Sequence, residues 1–213
     1  MPKIVGFLAL LATALLYAPP TVAQIDGNAI RGADLYELRG CMACHGPAGL
    51  SAKPEIPHLA GQQRTYLYNQ LDKFRTQRPR GRLGYKISER YHGTMEPMAS
   101  RLTDQDISDI AAFLNKLPCS PGQGRVEATR PTIATKCEFC HGTNGNSPFV
   151  AIPKITGQHE RYIVQQLEAF RDAAQNSDEE NVRAHRLMLA ATIDIADAQI
   201  EAAAKYYSRL SCR

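Results

Sequence analysis

Tryptophan is absent, and aromatic residues make up only 7% of the 213 positions, which leaves few large apolar rings to build a core from. No alternating apolar–polar run is long enough to read as a convincing strand, so the pattern does not favour a β-rich fold. There is no Gly-rich phosphate loop, no Gly-x-Ser-x-Gly and no His-Glu-x-x-His. Nucleotide-binding, serine-hydrolase and zinc-protease readings therefore have nothing to stand on. Neither sign of charge dominates. The chain is +4 overall; residues 24–119 hold 13 Lys+Arg against 10 Asp+Glu, and residues 120–213 hold 11 against 11. No case for nucleic acid follows from that balance.

Long hydrophobic runs are also missing beyond the N-terminus. Lys3 is followed by an uncharged apolar run from Ile4 to Ala18, then Pro19-Pro20 and the small-residue pattern Thr21-Val22-Ala23. This is the layout of a secretory signal peptide, residues 1–23, cleaved after Ala23. The run falls short of the ~20 residues a spanning helix needs, which disfavours the alternative of a retained anchor.

Two short stretches organise what remains: Cys41-Met42-Ala43-Cys44-His45 and Cys137-Glu138-Phe139-Cys140-His141. Both read C-x-x-C-H, the pattern of covalent haem attachment, in which two thiols bond the vinyl groups and the histidine ligates iron. A single C-x-x-C also serves redox and zinc sites. Two copies, each with an adjacent His and a Met about fifty residues on, point to two haem c groups held by Cys41, Cys44, Cys137 and Cys140. Each macrocycle would supply the apolar bulk that the composition lacks.

The two halves repeat. At a shift of 96, Cys41, Cys44, His45 and Gly46 fall on Cys137, Cys140, His141 and Gly142; Gly61-Gln62 falls on Gly157-Gln158, Tyr66 on Tyr162 and Phe74-Arg75 on Phe170-Arg171. The shift then drops to 93, pairing Arg90, His92 and Met95 with Arg183, His185 and Met188, and Cys119 with Cys212. The first half thus carries a loop three residues longer within 76–89. The domains read as 24–119 and 128–213, joined by a linker, 120–127, that opens on the breaker-rich Ser-Pro-Gly-Gln-Gly. Each copy reads as helical. Helices are expected over Asn28–Arg39, stopped by Gly40; Gln63–Arg75; His159–Arg171; a run entered by the Thr103 N-cap; and Ile195–Leu210. Pro131, six residues before Cys137, predicts a shorter first helix in the second copy.

His45 and His141 are the expected fifth iron ligands. The carbonyls of Pro57 and Pro153, each twelve residues on, are placed to accept the other ring N–H. Met95 and Met188, paired by the repeat, are the expected sixth ligands. Met98 has no counterpart and reads as packing, Met42 as surface or haem-edge packing, and His92 and His185 are alternative ligands. Thioether opposite imidazole raises the potential and closes the iron, which suits electron transfer. Lys73, Arg75, Arg78, Arg80, Arg82, Lys86 and Arg90 form a basic stretch. It reads as a solvated loop, or as a docking surface for an acidic redox partner or anionic lipid, the latter giving peripheral membrane association. Cys119 and Cys212 remain, and an intramolecular disulfide or two separate thiols are both open to them.

These residues, together with Pro-His-Leu-Ala-Gly-Gln at 57–62, Pro-Lys-Ile-Thr-Gly-Gln at 153–158 and Leu102-Thr103-Asp104-Gln105-Asp106-Ile107, resemble the dihaem cytochrome c4 family of bacterial periplasms over nearly all of 30–211. The resemblance implies an all-α protein of two tandem class I cytochrome c domains, each wrapped round a covalent haem and related by a pseudo-twofold. It implies a periplasmic carrier in a Gram-negative bacterium, not an enzyme, passing electrons from a quinol-oxidising complex or dehydrogenase to a terminal oxidase. A dedicated cytochrome subunit of a dehydrogenase acting on a sulfur compound or an alcohol is the alternative, with a catalytic haem enzyme behind it.

The motifs predict two covalent haems per chain. A denaturing gel stained for haem should stay positive, and a pyridine haemochrome assay should return two per polypeptide. One haem, or zinc in its place, would contradict the reading.

Overall fold

The computed structural model describes residues 26–75, 90–122, 129–175, 183 and 185–212. The expected signal peptide, the longer loop at 76–89 and most of the linker lie outside the described residues. All helices and turns among them are joined without a sheet; the β structure there is one isolated antiparallel bridge between Arg90 and Arg183. No helix among them is long and apolar enough to cross a membrane.

The first half runs α1 (Ala29–Leu38), α2 (Met42–His45), α3 (Arg64–Arg75), α4 (Met95–Ala99) and α5 (Asp104–Lys116). Asn28 caps α1 by accepting from the amides of Ile30 (2.9 Å) and Arg31 (3.2 Å). Thr103 and Asp106 form a reciprocal capping box at the start of α5. Tyr36, Leu67, Leu102, Ile107, Ile110 and Leu114 bury together where α1 and α3 meet α5. Met42 packs against this cluster, so it belongs to the core edge and not to the surface. Met98, expected to pack, is instead 37% exposed.

The second half runs α6 (Ala134–His141), a single 3₁₀ turn (Thr143–Gly145), α7 (Glu160–Gln175), α8 (Arg186–Thr192) and α9 (Asp197–Arg209). The first helix of this half is shorter than its counterpart, as Pro131 predicts: α6 has 8 residues against 10 in α1, and it carries the Cys motif within it. Pro131 cannot donate to a preceding turn, and its carbonyl accepts from the Ala134 amide (3.0 Å), so the helix starts just after the proline and runs through to His141. Its own core is Ala134, Ile163, Ala203, Ala204, Tyr206 and Tyr207. Helix α7 outruns its expected end at Arg171 because Ala173 and Ala174 are strong helix formers.

The same arginine clasp recurs in both halves. Arg75 donates to Leu102 O (3.2 Å) and pairs with Asp72 (2.6 Å) and Asp104 (2.5 Å). Its equivalent, Arg171, donates to Ile195 O (3.1 Å) and pairs with Asp197 (2.7 Å). Each clasp fixes the start of the last helix against the long central one. Arg75 is therefore held by ion pairs inside its domain; Arg78, Arg80, Arg82 and Lys86 lie outside the described residues. Cys119 and Cys212 are bonded, with Cα atoms 5.8 Å apart and a sequence separation of 93. In the chain-entropy picture a loop of that length is worth about 4–5 kcal/mol. The Cys212 amide reaches Ser120 O (3.3 Å) and Ser211 Oγ reaches Pro121 O (2.9 Å), so the C-terminus is laced to the start of the linker.

Gly32 sits where α1 crosses α5. A Cβ there would lie 2.0 Å from Asp109 O and 2.5 Å from its carbonyl carbon, both backbone atoms of a residue that is fully buried. Alanine normally gains about 0.5–1 kcal/mol over glycine inside a helix. Here overpacking against backbone, about 1–3 kcal/mol, outweighs that gain. Gly32→Ala should thus lower the urea midpoint of the haem-loaded protein without altering the slope. A raised midpoint would show that α1 is not held this closely.

Candidate functional site: two histidine centres across one interface

Each Cys-x-x-Cys-His segment is helical, so its two thiols and its imidazole are separated by about one turn. Cys41, Cys137 and Cys140 are partly buried and Cys44 is exposed, and none of the four is in a disulfide. His45 and His141 are buried, at 7% and 8% exposure. His45 Nδ1 donates to Pro57 O (3.0 Å) and His141 Nδ1 donates to Pro153 O (2.9 Å). Each bond keeps the hydrogen on Nδ1, which leaves the Nε2 lone pair for a metal. Burial holds both imidazoles below their ordinary range, against the opposing pull of the proline carbonyls, which favours their neutral form. Arg183 adds a further downward push on His141 through its charge.

The chain leaves each histidine by the same tight turn. Gly46 and Gly142 have φ of +80° and +74°, and a Cβ would meet Leu50 O at 2.2 Å and Asn146 O at 2.6 Å. Tyr36 Oη donates to Gly46 O (2.8 Å), which ties α1 to this turn. Ser51 Oγ donates to Cys44 O and Ser147 Oγ to Cys140 O, both at 3.0 Å. Met95 opens α4, which packs on α3, and Met188 lies in α8, which packs on α7; both are partly buried. His92 and His185 are exposed, and His92 Nδ1 accepts from the Thr94 amide (3.2 Å). Four cysteines outside any disulfide, two buried imidazoles presenting Nε2, and the partly buried thioethers of Met95 and Met188 form a donor set that fits a haem c in each half.

The proline loops that hold the imidazoles also form the contact between the halves. Gln62 donates to Lys154 O (2.8 Å) and accepts from the Lys154 amide (2.8 Å); Gln158 does the same with His58 O and the His58 amide, both at 2.9 Å. Gln63 Nε2 donates to Ser147 O, and His159 Nε2, its repeat equivalent, donates to Ser51 O, both at 2.9 Å. The contact is thus a pseudo-twofold in which each bond appears twice. The rings of His58 and His159 stack at 3.9 Å, and burial, then the neighbouring His159, push His58 down to about 4. Both rings accordingly sit together without a like-charge clash at neutral pH. These glutamines and the tilted His58–His159 pair are interface residues that the motifs do not contain. The signal was the recurring Gly-Gln dipeptide, whose side chains had no assigned partner until the halves were docked.

Comparison with known proteins agrees with this geometry. The cytochrome c family model matches residues 29–118 and again 129–211. Cytochrome c4 of Thiocapsa roseopersicina is 32% identical over 189 residues, covering 80% of this chain and 87% of that one. A protein of Stutzerimonas stutzeri (strain A1501) named thiosulfate dehydrogenase electron acceptor is 27% identical, covering 88% and 89%. The crystal structure of reduced recombinant cytochrome c4 from Pseudomonas stutzeri superposes with a TM-score of 0.67 at 28% identity, over 86% of this chain and 99% of that one. With one histidine centre per half, a shared pseudo-twofold and this likeness along both halves, the chain belongs to the dihaem cytochrome c4 family, all-α proteins of two tandem cytochrome c domains with two covalently bound haem c groups.

Proposed function

We propose that this protein is a periplasmic carrier of single electrons, running between a quinol-oxidising complex or a dehydrogenase and a terminal oxidase or other acceptor. One observation carries the reading: each half offers a locked neutral imidazole and a thioether, and the two centres share one hydrogen-bonded interface. When bound, each haem supplies a one-electron ferric/ferrous couple. The chain's part is to hold that couple still. The Nδ1 bonds fix ring plane and tautomer, Met95 and Met188 would hold the iron as its thioether ligands and so keep it from substrate, and the doubled glutamine bonds fix one centre relative to the other. A closed iron in a rigid shell favours electron transfer over substrate chemistry. Residues 24–119 and 128–213 act as the two domains, after export and removal of residues 1–23. The Cys119–Cys212 bond ties the two domains at the ends of their last helices.

A second reading has a specific observation behind it. The relative named thiosulfate dehydrogenase electron acceptor is similar along nearly the whole chain, which favours a dedicated acceptor for a dehydrogenase that oxidises a sulfur compound. Both readings make the protein an acceptor and donor of electrons without turnover of its own. They separate by partner: a pull-down from periplasm should return an oxidase in the first case and a dehydrogenase in the second.

The ligand assignment is checked by the near-infrared sulfur-to-iron band. Met95→Ala and Met188→Ala should each abolish it for one haem, and Met98→Ala should leave it intact. Loss with Met98→Ala but not with Met95→Ala would reassign the first centre, and a wild-type spectrum without the band would point to His92 and His185.

The carrier reading is checked with purified protein. The reduced form should pass electrons to a small acceptor, yet show no peroxidase or thiosulfate-oxidising activity above that of free haem. Saturable turnover would move the protein among the catalytic haem enzymes.

A further inference from the structure

The rings of His58 and His159 meet across the contact between the halves, 3.9 Å between centroids and tilted by 38°. They are not repeat equivalents. At the shift of 96, His58 falls on Lys154 and His159 on Gln63, so the ring pair is an addition to the pseudo-twofold pattern. Most of its polar groups are held: His159 Nε2 donates to Ser51 O (2.9 Å), and Gln158 holds the His58 amide and carbonyl (both 2.9 Å). His58 Nδ1 is the exception. It is buried and has no hydrogen-bond partner in the protein. The other buried side-chain atom in that position among the described residues is Thr156 Oγ1, and both residues line one small cavity at the interface. An imidazolium carries a hydrogen on each ring nitrogen and needs an acceptor for each. The docked contact gives Nδ1 none, so it suits the neutral ring and penalises the charged one.

The surroundings do not relieve that penalty. The titratable groups on the segments packed round His58 are His159, Lys154 in the opposite proline loop, Glu160 and Arg161 at the start of α7, and Lys53 and Glu55 upstream on its own side. Glu55 is paired with Arg161 (2.9 Å). The bonded sulfurs of Cys119 and Cys212, which also line the cavity, do not titrate. Besides burial, the charge acting on His58 is that of His159, and it opposes a second proton. The remaining bonds of the contact keep their charge state as pH falls: the glutamine–backbone pairs, Arg90 to Tyr162 (3.1 Å) and Arg183 to Tyr66 (2.9 Å).

We propose that His58 is an acid-sensitive clasp between the two halves: neutral, it packs on His159 and lets the halves dock; protonated, it loosens the contact while the Cys119–Cys212 bond keeps the halves joined. An exposed imidazole takes up its proton near 6.5, whereas burial and His159 hold docked His58 down to about 4. Between those values the undocked chain binds more protons than the docked one. Docking is therefore at full strength above the ordinary histidine range, weakens as pH falls through it toward about 4, and loses nothing further from this group below that. Docking also sets the separation of the two histidine centres. On the dihaem reading above, acid would thus slow electron transfer from one centre to the other.

The test is amide hydrogen exchange on the full, haem-loaded, reduced protein at two pH values, about 7.5 and about 4.5, corrected for the intrinsic rate so that it reads the opening equilibrium. The amides of His58 and Lys154 donate to glutamines of the opposite half and report docking. The Ile155 amide donates to Gly145 O of its own half (2.9 Å) and serves as the internal control. Protection at His58 and Lys154 should fall about fiftyfold between the two conditions, while Ile155 keeps its own. His58→Phe retains a ring and cannot titrate, so it should remove most of the fall. Carboxylates that titrate in the same range act on both proteins and cancel in the comparison. A measurement on wild-type protein covers a variant that matures poorly: in ¹⁵N-histidine spectra the His58 ring should stay neutral well below the ordinary histidine range. Wild-type protection that does not change with pH, an equal fall in His58→Phe, or a His58 ring that protonates in the ordinary range with protection intact would each overturn the clasp. None of these readings depends on the number of haems, which the haemochrome assay tests separately.

Discussion

The hydrogen bond from each histidine Nδ1 to a proline carbonyl twelve residues on is the constraint from which the rest follows. It fixes which ring nitrogen is free and where that nitrogen points. It also makes the proline loop part of the metal centre. The residue after Pro57 is His58, whose amide and carbonyl are both bonded to Gln158 of the other half. Lys154, after Pro153, is bonded in the same way to Gln62. One peptide group therefore carries both the carbonyl that orients the buried imidazole and the amide that docks the domains. Movement at the interface would be felt at the ligand, and the doubled amide bonds oppose such movement.

The pseudo-twofold is kept in the hydrogen bonds of the interface, and inside each half the histidine–proline bonds and arginine clasps repeat it. The glutamine pairs, the arginine–tyrosine pairs and the Cys119–Cys212 bond all respect it. Other features of the two halves differ. The first half covers its core with α1, anchored through Gly32, whereas the second begins its helix at Ala134 and embeds its Cys motif there. The exposed apolar side chains of the second motif region, Phe139, Phe149 and Val150, have Ala43, Lys53 and Pro54 as repeat equivalents in the first. The inner faces are thus alike because each must fit the other, and the outer faces are under no such requirement.

Some features belong to the sequence by itself. The haem count and the two Cys-x-x-Cys-His segments that carry it were legible because attachment chemistry demands a fixed local spacing. The helical nature of each half, the Thr103 cap and the Gly40 stop were legible because capping and periodicity act within a few residues. The duplication also showed in the chain, and with it the equivalence of Arg90 with Arg183 and of Cys119 with Cys212. Other features were settled only by tertiary structure. The proximity of the two cysteines, the commitment of Arg75 to an internal clasp, the place of Met42 at the core edge and the exposure of Met98 all depend on residues far apart in the chain. The same holds for Gln62, Gln158 and the arginine–tyrosine crossings, since a side chain's partner across an interface leaves no local pattern. Sequence sets what each half can hold; only the docking of one half on the other decides which charges are brought together, because that distance is fixed by packing and not by spacing along the chain.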